Sequence, residues 1–169
     1  ADSSNNVADL GNSFRYIGPV ASSAGVDFKE TAAALMVLAD AGIRGEKAGT
    51  GLMQFINDLI APSTKARDVM AQMGITLKDT TGKMLPLSMI IDQFAKVQQS
   101  TADKTEFLAK ATAIWGMRTA DVLPLLAAGG DKLRTLTEGL ENSEGAAKRM
   151  GDAMMGNLKG SLNQLKGSL

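Results

Sequence analysis

Apolar residues recur along this chain mostly at intervals of three and four, the spacing of helices that bury one face. The clearest run is Leu52, Phe55, Ile56, Leu59 and Ile60, a stripe that predicts a buried helix ended by Pro62. Upstream, Phe28, Ala32, Leu35 and Ala39 share one face of a helix expected at about 27–41. Asp27 is its expected N-cap, and Glu30, three residues later, is the second half of a capping box. Gly42 stands where a left-handed C-terminal cap needs a residue without a Cβ. Small residues dominate this helix, so neighbours can come close, which suits a central element. Before it, Val7 to about Ala21 reads as a helix with a break at Gly18-Pro19, because proline removes an amide donor and crowds the preceding turn. Residues 1–6 are polar and expected to fray.

Beyond Pro62, Ser63 or Thr64 caps a short helix whose inner face is Ala66, Val69, Met70 and Met73. The pattern then changes. Ile75-Thr76-Leu77 is β-prone, Asp79 to Lys83 is turn-like with Gly82, and Met84-Leu85 is apolar before Pro86, so a small two-stranded hairpin is predicted near 75–85. Pro86 suits the first turn of a following helix that buries Leu87, Ile90, Phe94 and Val97. Thr101 or Asp103 starts another, with Phe107, Leu108, Ala111, Ile114 and Trp115 on one side. Arg118 to Ala128 is a short helix that accommodates Pro124 or restarts there, and Asp131 to Leu140 a further one with Leu133, Leu136 and Leu140 inward. In the tail, Met155, Leu158, Leu162, Leu165 and Leu169 alternate by three and four, as in a coiled-coil seam. Gly151, Gly156, Gly160 and Gly167 weaken that helix in isolation, so the tail either packs on its own domain or continues into a partner or further sequence. The expected fold is therefore mainly α: a compact multi-helix domain over residues 1–142 with a small β-hairpin, and a C-terminal helix over 143–169, coiled-coil-like in character, whose five apolar residues are the self-association candidates.

Several of these stretches carry a resemblance. Tyr16-Ile17-Gly18-Pro19-Val20-Ala21, Glu30-Thr31-Ala32-Ala33-Ala34-Leu35 and Leu38-Ala39-Asp40-Ala41-Gly42-Ile43 are similar to the core region of phage tail tape-measure proteins. The likeness continues in order through Gly49-Thr50-Gly51-Leu52, Ala61-Pro62-Ser63, Met73-Gly74-Ile75 and the run from Asp79 to Leu87. It ends in Gly116-Met117-Arg118, Leu140 to Ala147 and Met154 to Gly160. It spans nearly the whole chain, and the order and spacing of the pieces are more specific than any one of them. The resemblance implies a structural protein of a phage or prophage tail, located in the tail lumen of the virion and assembled in the bacterial host cytoplasm. There it sets tail length, serves as a scaffold for assembly and has a role in genome delivery. The partners it implies are further copies of itself, the tail tube subunit, tail tip proteins and tail assembly chaperones. Tape-measure proteins are far longer than this, and a chain opening at Ala1 without an initiator methionine is expected to be a piece of one.

Composition narrows the chemistry. The chain has 169 residues, 44% of them hydrophobic and only 4% aromatic, with ten methionines and a net charge of zero. Such a chain folds, packs closely through small and flexible side chains, and has no general electrostatic attraction to nucleic acid. Arg15, Arg44, Arg67, Arg118 and Arg134 are dispersed, which argues against a DNA footprint. Cysteine and histidine are absent. That removes disulfides, zinc–thiolate sites, cysteine nucleophiles and every mechanism with a histidine base. No apolar run approaches the roughly 20 residues needed to span a bilayer, and the N-terminus lacks the basic and apolar blocks of a signal peptide.

The remaining candidates are weak. Gly45, Gly49 and Gly51 invite a phosphate-loop reading, but the Gly-Lys-Ser/Thr ending is missing, and close helix packing explains them better. Asp79-Thr80-Thr81-Gly82-Lys83 lacks the alternating acids of a calcium loop. Asp2, Asp9, Asp27, Glu30, Asp40, Asp58 and Glu106 could supply a carboxylate pair, but helix caps and solvated faces account for them. Ser63 and Lys65 are adjacent without any sign of a dyad, and Trp115 reads as a core anchor. Met150, Met154 and Met155 could form an adaptable binding surface, though gap-filling in a helical interface is plainer. No catalytic, cofactor-binding or metal-ligating residue is assigned, and no cofactor is expected. The rival to a scaffold is a muramidase-like enzyme, in which Glu30 or Glu106 would have to be an acid in an apolar pocket. A membrane-active module built on Ala32–Ala39 and Val122–Ala128 fails because both runs are too short to span.

Overall fold

The structure, a computed structural model, describes residues 2–142 and, in the tail, residues 152, 156, 159, 160, 163, 164, 166 and 167. Its helices are α1 (Asp2–Ala24), α2 (Phe28–Asp40), α3 (Gly45–Ile60), α4 (Thr64–Gln72), α5 (Leu87–Ser100), α6 (Lys104–Trp115) and α7 (Thr119–Asn142). A single 3-10 turn, Gly116–Arg118, joins α6 to α7. The self-association candidates Met155, Leu158, Leu162, Leu165 and Leu169 lie outside the described residues, as do Met150 and Met154.

α2 is the centre of the molecule, in contact with α1, α3 and α7. Ala32, Ala33, Ala34, Leu35 and Leu38 are almost wholly buried, and a helix this poor in bulk lets three others reach it. Asp27 caps it as expected, its Oδ2 accepting the amides of Lys29 at 3.1 Å and Glu30 at 3.4 Å. Gly42 takes the left-handed conformation beyond its end, with φ of 85°. The α3 stripe is buried through Leu52, Phe55, Ile56 and Leu59, each contributing about 1.5–3 kcal/mol of apolar burial. Ile60 instead lies at the helix end, 44% exposed, one residue past the last turn that touches the core. Leu108 is likewise exposed, because the buried side of α6 runs through Phe107, Ala111, Ile114 and Trp115 and leaves it facing water.

Three further expectations are corrected. First, α1 runs through Gly18-Pro19 to Ala24 without a break. Pro19 and Arg15 lie on the exposed side, so the carbonyl that proline leaves unpaired faces water, where its loss is tolerable. Second, the β-hairpin at 75–85 does not form as strands. The chain does reverse there: Asp79 N donates to Lys83 O at 2.8 Å and Leu85 N to Leu77 O at 2.9 Å, but the pairing amounts to one isolated antiparallel bridge, Lys78 to Met84. The ladder cannot extend, because Pro86 has no N–H and both backbone groups of Thr76 are taken by a side chain. Gln93 Oε1 accepts from Thr76 N at 2.7 Å, and Gln93 Nε2 donates to Thr76 O at 2.8 Å. Third, Pro86 occupies the N-cap of α5 rather than its first turn.

That last detail explains the fate of Glu30. Proline at an N-cap offers no side-chain acceptor, so the first amides of α5 need one from elsewhere. Glu30 does not turn back on its own helix to complete a capping box. It reaches across, and its Oε1 accepts from Ser88 N at 2.6 Å in a buried contact that ties α2 to α5. Close approach also governs two helix crossings. A Cβ at Gly49 would lie 2.2 Å from Ser13 O, and one at Gly130 2.2 Å from Ser88 O, so the α1–α3 and α5–α7 crossings each depend on a hydrogen in place of a methyl group.

The two contacts give direct tests. Gly49→Ala should lose about 1–3 kcal/mol in urea unfolding followed by circular dichroism. Gly139→Ala, where the added carbon meets nothing, should gain roughly 0.5–1 kcal/mol. Glu30→Ala should cost about 1–3 kcal/mol by stranding the buried Ser88 amide, while Glu30→Gln, which keeps an acceptor oxygen, should cost less. Equal stabilities across the glycine pair, or a neutral Glu30→Ala, would contradict these packings.

Candidate functional site

One concave region lies where the 3-10 turn meets α3 and the start of α4. Trp115 sits beneath it, 4% exposed, with ring centroids 5.4 Å from Phe55 and 5.0 Å from Phe94. Three helices thus meet on one indole, which makes it the core anchor expected. Its Nε1 is buried and finds no acceptor among the described residues. Above it a groove of about 480 Å³ is lined by Asp58, Pro62, Ser63, Ile114, Met117 and Arg118, among others. Met117 is 99% exposed at its lip. Arg118 Nη1 donates to Gln54 Oε1 at 2.7 Å and stands 3.9 Å from Asp58 Oδ2. Burial pushes the Asp58 carboxyl above its ordinary range, and Arg118 pulls it part of the way back.

This arrangement fixes helices more readily than it transforms a substrate. Ser63 is committed as the α4 N-cap, its Oγ accepting from Ala66 N at 3.1 Å, and Lys65 is exposed in the first turn of that helix. The other sequence candidates are dispersed. Asp9 and Asp40 line a separate groove of about 210 Å³ between α1, α2 and the start of α3, together with Leu10, Leu35 and Arg44. Asp27 and Glu30 are helix caps, and Glu106 pairs with Lys110 at 2.8 Å on the exposed face of α6. Glu30 is the one candidate buried as an enzymatic acid would need, but its carboxylate is occupied by the α5 terminus. Gly45 carries φ of 59° at the start of α3, and Gly49 is a packing position. Asp79 organises a local turn, its Oδ1 accepting from Thr81 N, Thr81 Oγ1 and Lys83 N, and the Thr81 hydroxyl leads in holding its carboxyl below the usual range. No group of three acidic, histidine or cysteine side chains suited to a metal occurs among the described residues. Nor is any described helix long and apolar enough to cross a membrane.

One polar cluster escaped the sequence reading. Asp92 on α5 accepts from Gly130 N at 3.0 Å through Oδ1 and from Arg134 Nη2 at 2.8 Å through Oδ2. Arg134 also pairs with Asp131. The Arg134 hydrogen bond, aided by the Gly130 amide and opposed by partial burial, holds the Asp92 carboxyl below its ordinary value of 3.8. Nothing in the sequence around Asp92 marks it, since its partners lie about 40 residues away, and only the spacing of Gly129-Gly130 before Arg134 hinted at a capped restart.

A carboxyl whose folded value is depressed stabilises the fold above its unfolded value and loses that contribution as pH falls through the folded value. Wild-type stability should therefore drop as pH falls below the ordinary carboxyl value of 3.8 more steeply than that of Asp92→Asn, which should already be weaker at pH 7. Chemical unfolding across that range checks it, and parallel curves would remove Asp92 from the account.

The chain is 34% identical to a tape measure protein of Pneumococcus phage Dp-1 over 171 aligned residues, covering 99% of this chain and 15% of that protein. It is 33% identical to a probable tape measure protein of Escherichia phage P2 over 155, covering 89% of this chain and 19% of the other. The chain thus spans less than a fifth of the length of either relative. No solved structure matches it. The profile of the phage-related minor tail proteins matches residues 1–116, and the chain belongs to that family.

Proposed function

We propose that this chain is the compact core module of a tape-measure protein: a scaffold for tail assembly and tail-length determination, with a role in genome delivery, and not an enzyme. The observation that carries the reading is the 34% identity to a tape measure protein along essentially the whole chain. The dispersal of carboxylates into caps and ion pairs supports it, as does the lack of histidine and cysteine. In this reading residues 1–142 form the module and 143–169 an extension that self-associates through Met155, Leu158, Leu162, Leu165 and Leu169, whose spacing of three and four is that of a helical seam. The setting is the tail lumen of a virion, after assembly in the bacterial host, and the partners are further copies, the tube, the tip and assembly chaperones. Nothing favours a muramidase: its better candidate acid, Glu30, serves as a helix cap.

Replacing this module by an unrelated helical domain of equal length in the full-length phage protein should abolish tail formation or leave tails of irregular length in electron micrographs. Normal, infectious tails would overturn the proposal. For the extension, sedimentation of chains ending at Ser143 and at Leu169 should show association for the longer one alone in the micromolar range. Equal monomer masses would refute the seam.

A further inference from the structure

α6 ends on Gly116, which carries φ of 62° although a Cβ there would meet no neighbour, so backbone conformation alone calls for glycine. The turn that follows, Gly116–Arg118, leaves Met117 99% exposed and brings Arg118 back onto α3, where Nη1 bonds Gln54. Between this turn and the start of α4 lies the groove of about 480 Å³, with an apolar wall that includes Pro62, Ile114 and Met117.

Two polar groups on the groove lack a counterpart. Trp115 Nε1–H is buried and donates to nothing among the described residues, although a buried indole N–H ordinarily finds an acceptor. The Asp58 carboxylate accepts no hydrogen bond among them, since Arg118 Nη1, at 3.9 Å, is too distant to donate. Burial without a donor to replace water is what pushes that carboxyl up. A charged ligand suits this lining poorly: a carboxylate would meet Asp58, and an amine would meet Arg118. A neutral group that both accepts and donates suits it well, and the peptide group is one.

We propose that the groove binds an extended polypeptide segment of a partner protein, whose backbone accepts from Trp115 Nε1 and donates to Asp58 while one apolar side chain lies against Pro62, Ile114 and Met117. The segment is extended because the peptide groups of a helix are already bonded to one another. The carbonyl reaches Nε1 through a side-chain adjustment on the groove wall, of the kind that binding surfaces commonly make. Methionine and arginine are enriched at protein interfaces, and an unbranched Met117 adapts to the side chain it covers. The proposal rests on the groove alone and stands apart from the tape-measure reading.

Trp115 is the single tryptophan of the chain, so the 169-residue protein labelled with nitrogen-15 gives one indole N–H cross-peak, at the proposed contact itself. Titration with the blocked peptide acetyl-Ala-Leu-Ala-amide should move that peak downfield along a saturable curve. Acetyl-Ala-Gly-Ala-amide, which lacks the apolar side chain, should need a several-fold higher concentration. Met117→Glu, at a position with nothing to lose from the core, and Asp58→Ala should each weaken binding of the leucine peptide several-fold with helicity by circular dichroism unchanged. Leu108→Glu, an exposed apolar position on α6 outside the groove, should titrate as the wild type does. An indole peak that stays still, equal response to the two peptides, or wild-type titration of both groove variants would overturn the proposal. A peak that moves on dilution of the protein alone, and no longer does so in Met117→Glu, would place a second copy of this chain in the groove and overturn it as well.

Discussion

A buried carboxylate is tolerable only where hydrogen-bond donors replace water, and here the donors are the bare first turn of α5. Glu30 sits at the start of the most buried helix, α2, and its contact with Ser88 N is a direct polar tie from the first part of the chain to the second. The proline N-cap of α5 makes the contact necessary, because Pro86 can offer those amides nothing. Gln93, on the same helix, then clamps Thr76, which limits the 75–85 reversal to one bridge and seats it against α5. Removing the carboxylate would leave one strand of this arrangement, the α2–α5 tie, without a polar partner, while the apolar contacts around it would remain.

Small residues do the complementary work. The alanines of α2 and the glycines at 49 and 130 allow helix axes to approach where larger side chains would hold them apart. Aromatic bulk is confined to a few positions, and Trp115 between Phe55 and Phe94 gathers α3, α5 and α6 into one cluster. A fold made this way owes much of its cohesion to close backbone contact. Such contact is sensitive to a single added methyl group. α7 shows the same economy of parts: it bends at Gly129, whose φ of 76° is not helical, and the Asp92 carboxylate caps the restart at Gly130.

Several of the polar contacts that organise the fold are thus devoted to ends of helices. Asp27, Ser63 and Asp103 cap their own helices, and Glu30 and Asp92 cap others. Carboxylates spent in this manner are already satisfied, and this is a physical reason to read the module as architecture. It agrees with membership in a family of minor tail proteins.

Most of the helices, the cap at Asp27 and the left-handed Gly42 could be read from local spacing, because capping and amphipathic periodicity are decided within a few residues. Ser63 over Thr64, and Asp103 over Thr101, were chosen only in the structure. The absence of histidine and cysteine likewise limited the chemistry before any fold was known. Two of the errors lie where distant groups compete for a backbone. The capping-box motif at Asp27 and Glu30 was sound locally, but a buried amide 58 residues away took the carboxylate. The β-prone run at 75–77 was sound too, until Gln93 claimed the groups a second strand needed. Pro19 escaped breaking α1 because tertiary packing put it on the wet side, and Asp92 gained its role only when α5 met the restart of α7. Periodicity and end signals, being local, belong to the sequence itself; the choice of partner for each buried polar group depends on which surfaces meet, and that was decided by the tertiary structure alone.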